Sequence, residues 1–253
     1  MKLLLDVGNS RIKWAWLDPH GTLSSGAPGL HAQESAAVFL ERVTAGGASP
    51  TQVVVSHVGS ATLRDSLESA IAARWPGVDM YWLQARTQMH GVRCAYADPA
   101  RLGADRWAAL IGARSRWSGP VAIMDFGTAI TLDGLASDGT HLGGLIAPGY
   151  HLMVLALHGN TGALAAAGAV DHSQPPDVFA ADTVSAINSG IYHCLKGLVT
   201  EMTRALADWM PGGYTLVATG GGLVHVREHL PAEAVVDPDL VLHGLARAAR
   251  EDA

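Results

Sequence analysis

Two cysteines in 253 residues, Cys94 and Cys194, lie far apart and outside any Cys-x-x-Cys spacing. A disulfide framework or a thiolate zinc site is therefore not expected, and the chain reads as a reduced one. Charge is scarce too: 16% of residues are Asp, Glu, Lys or Arg, the net charge is −6, and no Lys/Arg run forms. Without a basic footprint for a phosphate backbone, nucleic acid is not an expected partner. No stretch approaches the roughly 18 uncharged apolar residues of a membrane span. Asp6 interrupts the apolar start, and no cleavage-type segment follows it. A cytoplasmic globular protein is the expectation, with no membrane partner. A Walker-type G-x-x-x-x-G-K-[ST] is also missing, which removes the P-loop kinases.

What is present is a hydrophobic fraction of 49%, enough to bury a core in one large or two ordinary domains. The chain also writes one pattern twice. "LLLDVGNSRIKWAW" (3–16) and "VAIMDFGTAITLDG" (121–134) each break an apolar run with Asp-x-Gly-polar. Asp6 and Asp125 are 119 residues apart, and the tripeptide Ala-Pro-Gly recurs at 27–29 and 147–149, an offset of 120. "KLLLDVG" predicts a buried strand. "RIKWAWLD" alternates, with Ile12, Trp14 and Trp16 on one face and Arg11, Lys13 and Ala15 on a half-exposed one. A possible third strand follows, then a helix over 33–45, the strand "QVVVSHVG", and a helix over 61–75 that ends at Pro76. The second half repeats the grammar with "VAIMDFG", "AITLDGLA" and "HLGGLIAPG". A long helical region (179–208), the strand "YTLVATGGG" and a short helical stretch (223–230) complete it. The reading is two α/β domains of one plan, 1–117 and 118–253, each opening with a hairpin whose turn carries the Asp-x-Gly motif. Two such turns could face each other across a cleft.

An Asp-x-Gly-[Asn/Thr] turn suits phosphate and cation chemistry. Glycine lets the backbone approach a ligand, N–H groups with Asn9, Ser10 and Thr128 can meet phosphate oxygens, and each Asp supplies a hard oxygen, commonly through water for magnesium. Either turn alone is equally a plain strand connection; the pairing favours a site. "TGGG" (219–222) admits a ring or phosphate against backbone, or is only a strand-to-helix turn. In "RLGADRWAAL" (101–110), Asp105 falls at a helix start, where it suits the helix dipole. Beside Arg106 on a glycine loop it can also accept a hydroxyl proton. "HVREH" (225–229) matches one zinc-peptidase pattern, although Pro231 cuts the helix it would need. Most of the apolar stripe Phe179, Val184, Ile187, Ile191, Leu195, Leu198 and Met202 reads as core, with an interface as the other reading.

Taken together and in order, "DVGNSRIK", "GADRWAAL", "DFGTAITLD", "GGLIAPG" and "ATGGG" resemble type III pantothenate kinase, of the acetate and sugar kinase, Hsp70 and actin superfamily. The resemblance implies two RNase H-like (actin-like ATPase) domains and ATP-dependent phosphorylation of pantothenate, the first step of coenzyme A biosynthesis. It assigns Asp6, Val7, Gly8, Asn9, Ser10, Arg11, Ile12 and Lys13 to the first ATP-phosphate loop, with Asp6 near Mg2+, and Thr128 to the second. Ser10 stands where the family more usually has Thr, which keeps the hydroxyl. Asp125 would hold a monovalent cation, K+ or NH4+, and Asp105 would be the proton acceptor. Tyr96, Gly103, Ala104, Asp105, Arg106 and Thr183 would bind pantothenate, with Thr183 near the interface of a homodimer. Two other readings stand beside it: a nucleotide-gated regulatory protein of the same superfamily, and a zinc hydrolase built on His225 and His229.

Overall fold

Unbroken β-branched and aliphatic runs become inner strands, because a strand covered on both faces has no wet side to alternate with. The computed structural model describes residues 1–31, 33–45, 47–158 and 177–250. It divides into two compact units, one of Met1–Gly119, Leu135–Gly143 and Asp239–Ala253, the other of Pro120–Gly134 and Gly144–Pro238. The elements in chain order are β1 (Lys2–Val7), β2 (Arg11–Leu17), β3 (Leu23–Ser25), β4 (Gly29–Leu30), α1 (Ala36–Val43), β5 (Gln52–His57), α2 (Ala61–Arg74), β6 (Asp79–Trp82), β7 (Gln88–Met89), β8 (Val92–Arg93) and α3 (Ala104–Arg116). Then come β9 (Val121–Phe126), β10 (Ala129–Leu135), β11 (His141–Pro148), α4 (Tyr150–His158), α5 (Thr183–Trp209), β12 (Thr215–Thr219), β13 (Val235–Val236) and α6 (Leu240–Ala248).

The first unit is built on a sheet of order β3-β2-β1-β5-β6, with β4 paired to β2. β1 runs antiparallel to β2 and parallel to β5, and β5 runs parallel to β6. Leu3, Leu5 and Val7 join Val53 and Val55 on one face, under Phe39 and Leu40 of α1 and Leu67 and Ile71 of α2. Ser35 and Ser60 cap these two helices, each accepting a backbone N–H three residues on. The opposite face of β1 and β2 carries α6. That cover buries Ala15, expected on a half-exposed face, and Leu17, while Trp16 is buried on the α1–α2 side.

The second unit repeats the order as β11-β10-β9-β12-β13, with β9, β12 and β13 parallel. Ala122, Met124 and Phe126 of β9 pack with Ile191, Leu195, Val199, Met202 and Leu206 of α5. The apolar stripe is thus mainly core. The helix itself begins at Thr183 rather than 179, because Asp182 caps it by accepting from Ser185 N at 2.9 Å, and Phe179 stands outside it and exposed. The helical stretch expected over 223–230 is instead two 3-10 turns, Gly221–His225 and Arg227–His229. Gly220, at φ +97° and without a capping side chain, gives no start to an α-helix. Among the described residues no helix is long and apolar enough to cross a membrane.

α6 returns to the first unit and packs on α3 with backbone close to backbone. A Cβ at Gly244 would fall 1.8 Å from Ala108 O, and one at Gly112 would fall 2.3 Å from Leu240 O. A carbonyl cannot swing aside as a flexible side chain can. Gly244→Ala is therefore expected to destabilise by about 3 kcal/mol, overpacking outweighing alanine's better helix propensity. Gly197→Ala, in α5 with nothing within 4 Å, should stabilise by about 0.5–1 kcal/mol. Urea midpoints at unchanged m-value check both, and a common sign for the two would refute the close-contact account.

Candidate active site

In the first unit the register fixes the turn. Asp6 pairs with Lys13 and Val7 with Ile12, so residues 8–10 must reverse the chain, and Gly8 N donates to Arg11 O at 3.0 Å. Asn9 and Ser10 are exposed at its tip, while Asp6 is half-buried. On its other side Asp6 pairs in parallel register with Ser56. His31, which sequence reasoning passed over, braces this turn. Its Nε2 lies 2.9 Å from Gly8 O, and its backbone N–H donates to Ser10 O at 3.3 Å.

The second unit builds the same corner. Gly127 N donates to Ala129 O at 3.0 Å, Asp125 is half-buried, and its parallel partner is Thr219. The glycine inside each turn is not where close approach is demanded. Neither Gly8 nor Gly127 has positive φ, and a Cβ on them would meet carbonyl oxygen only at 3.5 and 3.4 Å. The tight positions are elsewhere. A Cβ at Gly149 would lie 2.5 Å from both Gly127 O and Thr128 O; at Gly220, 2.4 Å from Asp125 Oδ1; at Gly222, 2.7 Å from Phe126 O. In this unit, then, the Ala-Pro-Gly and TGGG glycines close around the Asp125 turn. The first Ala-Pro-Gly serves differently, since Gly29 makes room for the Phe39 ring.

Asp105 is placed by α3. Gly103 is the N-cap residue and gives no side-chain cap, and Asp105 Oδ1 accepts the Arg106 backbone N–H at 2.7 Å. A Cβ on Gly103 would fall 2.5 Å from that same oxygen, so glycine there is what lets the carboxylate turn back over the loop. Arg106 is buried, and its guanidinium donates to Tyr96 Oη at 2.9 Å. The ring of His141, also buried, stacks on Tyr96 with centroids 6.1 Å apart and donor Ala95 N 3.5 Å from its Nδ1. Of the expected pantothenate residues, Tyr96, Gly103, Ala104, Asp105 and Arg106 are thus brought together in the first unit. Thr183 belongs to the second unit, on the wall of an apolar groove of about 680 Å3 that also includes Leu152, Met153, Ile187 and Cys194 of α4 and α5.

His225 and His229 do not converge. His225 stacks on Tyr150 with centroids 4.0 Å apart, whereas His229 packs against Tyr192, and burial holds its pKa below the usual histidine value. Among the described residues no three His, Cys, Asp or Glu group as metal ligands. Cation chemistry of another kind fits the two turns. Each offers a carboxylate at a strand end with a fully buried hydroxyl, Ser56 or Thr219, whose oxygen has no hydrogen-bond partner. A lone carboxylate with neutral oxygens is a donor set for a hard cation that keeps water or phosphate in its shell. The hydroxyls escape a search at fixed offset, since Ser56 and Thr219 are 163 positions apart against 119 for the two Asp.

A family profile describing type III pantothenate kinase matches residues 2–205. A type III pantothenate kinase of Nitrosococcus oceani is 36% identical over 99% of this chain and 94% of its own length. One from Azoarcus sp. strain BH72 is 39% identical over 100% and 92%. Among solved structures, a ROK family glucokinase from Streptomyces griseus in complex with glucose and AMPPNP covers 99% of both chains at a TM-score of 0.52 and 12% identity, a likeness of fold. Neither the zinc-hydrolase reading nor the nucleotide-gated regulatory one is favoured by these relatives. Duplicated Asp turns, a glycine loop at a helix start and full-length kinship agree, and the chain belongs to the type III pantothenate kinase family.

Proposed function

We propose that Asp105 is the proton acceptor in the phosphorylation of pantothenate by ATP, the reaction of this family and the first step of coenzyme A biosynthesis. The observation that carries this reading is the half-buried Asp105 carboxylate folded over Gly103 beside the Arg106–Tyr96 pair. The primary hydroxyl oxygen of pantothenate forms a bond to the γ-phosphorus, the bond from that phosphorus to the bridging oxygen of ADP breaks, and the hydroxyl proton passes to Asp105. Arg106 and Tyr96, with the loop N–H groups, hold the substrate so that oxygen and phosphorus lie in line. Positioning and charge neutralisation dominate such a transfer.

The phosphates of ATP are assigned to residues 6–13 and to Thr128. Asp6 would serve Mg2+ through water and Asp125 a monovalent cation, K+ or NH4+. When bound, the cations offset the negative charge of the phosphate oxygens. Residues 1–117 and 118–253 are read as the two copies of one RNase H-like domain. A cytoplasmic homodimer completes the proposal, supported by the apolar α4–α5 groove that carries Thr183.

Two outcomes follow. Asp105→Asn should keep the fold and ATP binding but lose turnover by roughly 10²–10⁴-fold, the worth of a positioned base. Near-normal turnover would reduce Asp105 to a helix-terminus charge. Mixing inactive Asp105→Asn chains with inactive Thr183→Ala chains should partly restore activity if each pantothenate site draws on two subunits. No recovery after verified subunit exchange would confine the site to one chain.

A further inference from the structure

Ser56 and Thr219 are both 0% exposed, and neither Ser56 Oγ nor Thr219 Oγ1 has a hydrogen-bond partner. They occupy equivalent places. Each stands on the parallel strand beside an Asp-bearing strand, in register with Asp6 in one case and Asp125 in the other. In-register residues of adjacent parallel strands project from the same face roughly 4.8 Å apart. Each hydroxyl is therefore the lateral neighbour of its carboxylate. A buried, unpartnered hydroxyl is destabilising, because it loses its hydration and gains no bond in return. The strand positions just before them are Val54 and Val55, and Val217 and Ala218; an apolar residue would be at home here as well. The same cost, incurred twice at the same corner of two units, marks a lone pair that is put to use.

Resting on the cation assignments made above for Asp6 and Asp125, we propose that these hydroxyls supply the neutral oxygen at each cation position. Thr219 Oγ1 lends a lone pair directly to the monovalent cation beside Asp125. Ser56 Oγ holds a water of the magnesium shell beside Asp6, since magnesium gives up its waters reluctantly. The carboxylate provides charge at each corner, and the hydroxyl makes the corner a pocket for a cation rather than a surface that merely attracts one.

The test needs no turnover. The full chain, bound to a non-hydrolysable ATP analogue, is melted while K+ replaces Na+ at constant ionic strength, and separately while Mg2+ is titrated. Thr219→Val exchanges the hydroxyl for a methyl of the same shape. In Na+ it should melt no lower than the parent, because an unpartnered polar group has gone. In K+ its gain should shrink, with about tenfold more K+ needed for half the effect, and Thr219→Ser should restore most of the response. Ser56→Ala should shift the Mg2+ titration and leave the K+ response in place. Asp125→Asn separates the two layers of the argument. If it abolishes the K+ response while Thr219→Val behaves as the parent, the hydroxyl proposal is overturned and the Asp125 assignment stands. If Asp125→Asn still responds to K+, the assignment fails and the proposal falls with it. A Thr219→Val chain that melts lower by the same amount in both salts makes Thr219 a packing residue and also overturns the proposal.

Discussion

A strand covered on both faces can hold an unpaired carboxylate only where it ends. Burying an unpaired charge costs far more than one packed residue returns, and β1 and β9 are buried along most of their length, Leu3 to Leu5 and Val121 to Met124 being at most 2% exposed. Asp6 and Asp125 fall at the first positions where water and backbone N–H groups become available again. The carboxyl ends of parallel strands are also where α/β sheets present ligand sites. Burial of the sheet therefore decides where the reactive oxygens go, and the turns, helices and glycines arrange themselves around that decision.

That constraint explains what was legible in the sequence. The inner strands are legible as apolar runs, and the Asp near the end of β1 and of β9 could be read as a site because the two recur at equivalent places, 119 residues apart. Asp105 was legible for a related reason: a glycine followed by an acidic residue and then helical spacing describes a helix start. The kinship reported for the whole chain agrees with that reading of activity and fold.

What stayed hidden depends on contacts that carry no periodicity. Gly112 and Gly244 look like helix-weakening residues until α3 and α6 are seen to meet at them. The glycines named in the motifs, Gly8 and Gly127, turned out less constrained than Gly149 and Gly220, whose reason for being glycine is another segment's carbonyl or carboxylate. His31 and His141 brace the Gly8 turn and Tyr96 from distant segments. Local propensity could place α5, but not its first residue, because the Asp182 cap outweighed the apolar spacing that began at Phe179.

The first unit is discontinuous in a way that bears on its synthesis. α6 follows every element of the second unit in the chain, yet it covers β1 and β2 and fits the glycine seat on α3; Ser25 bonds Asp239, and Lys2 bonds Ala249 O. As the chain leaves the ribosome, that face of β1 and β2 must wait for α6 while more than a hundred further residues are made. The second unit, whose strands and α5 are all translated earlier, can close first. The helix bearing Asp105 gains its contacts with α6 only from residues translated after the second unit.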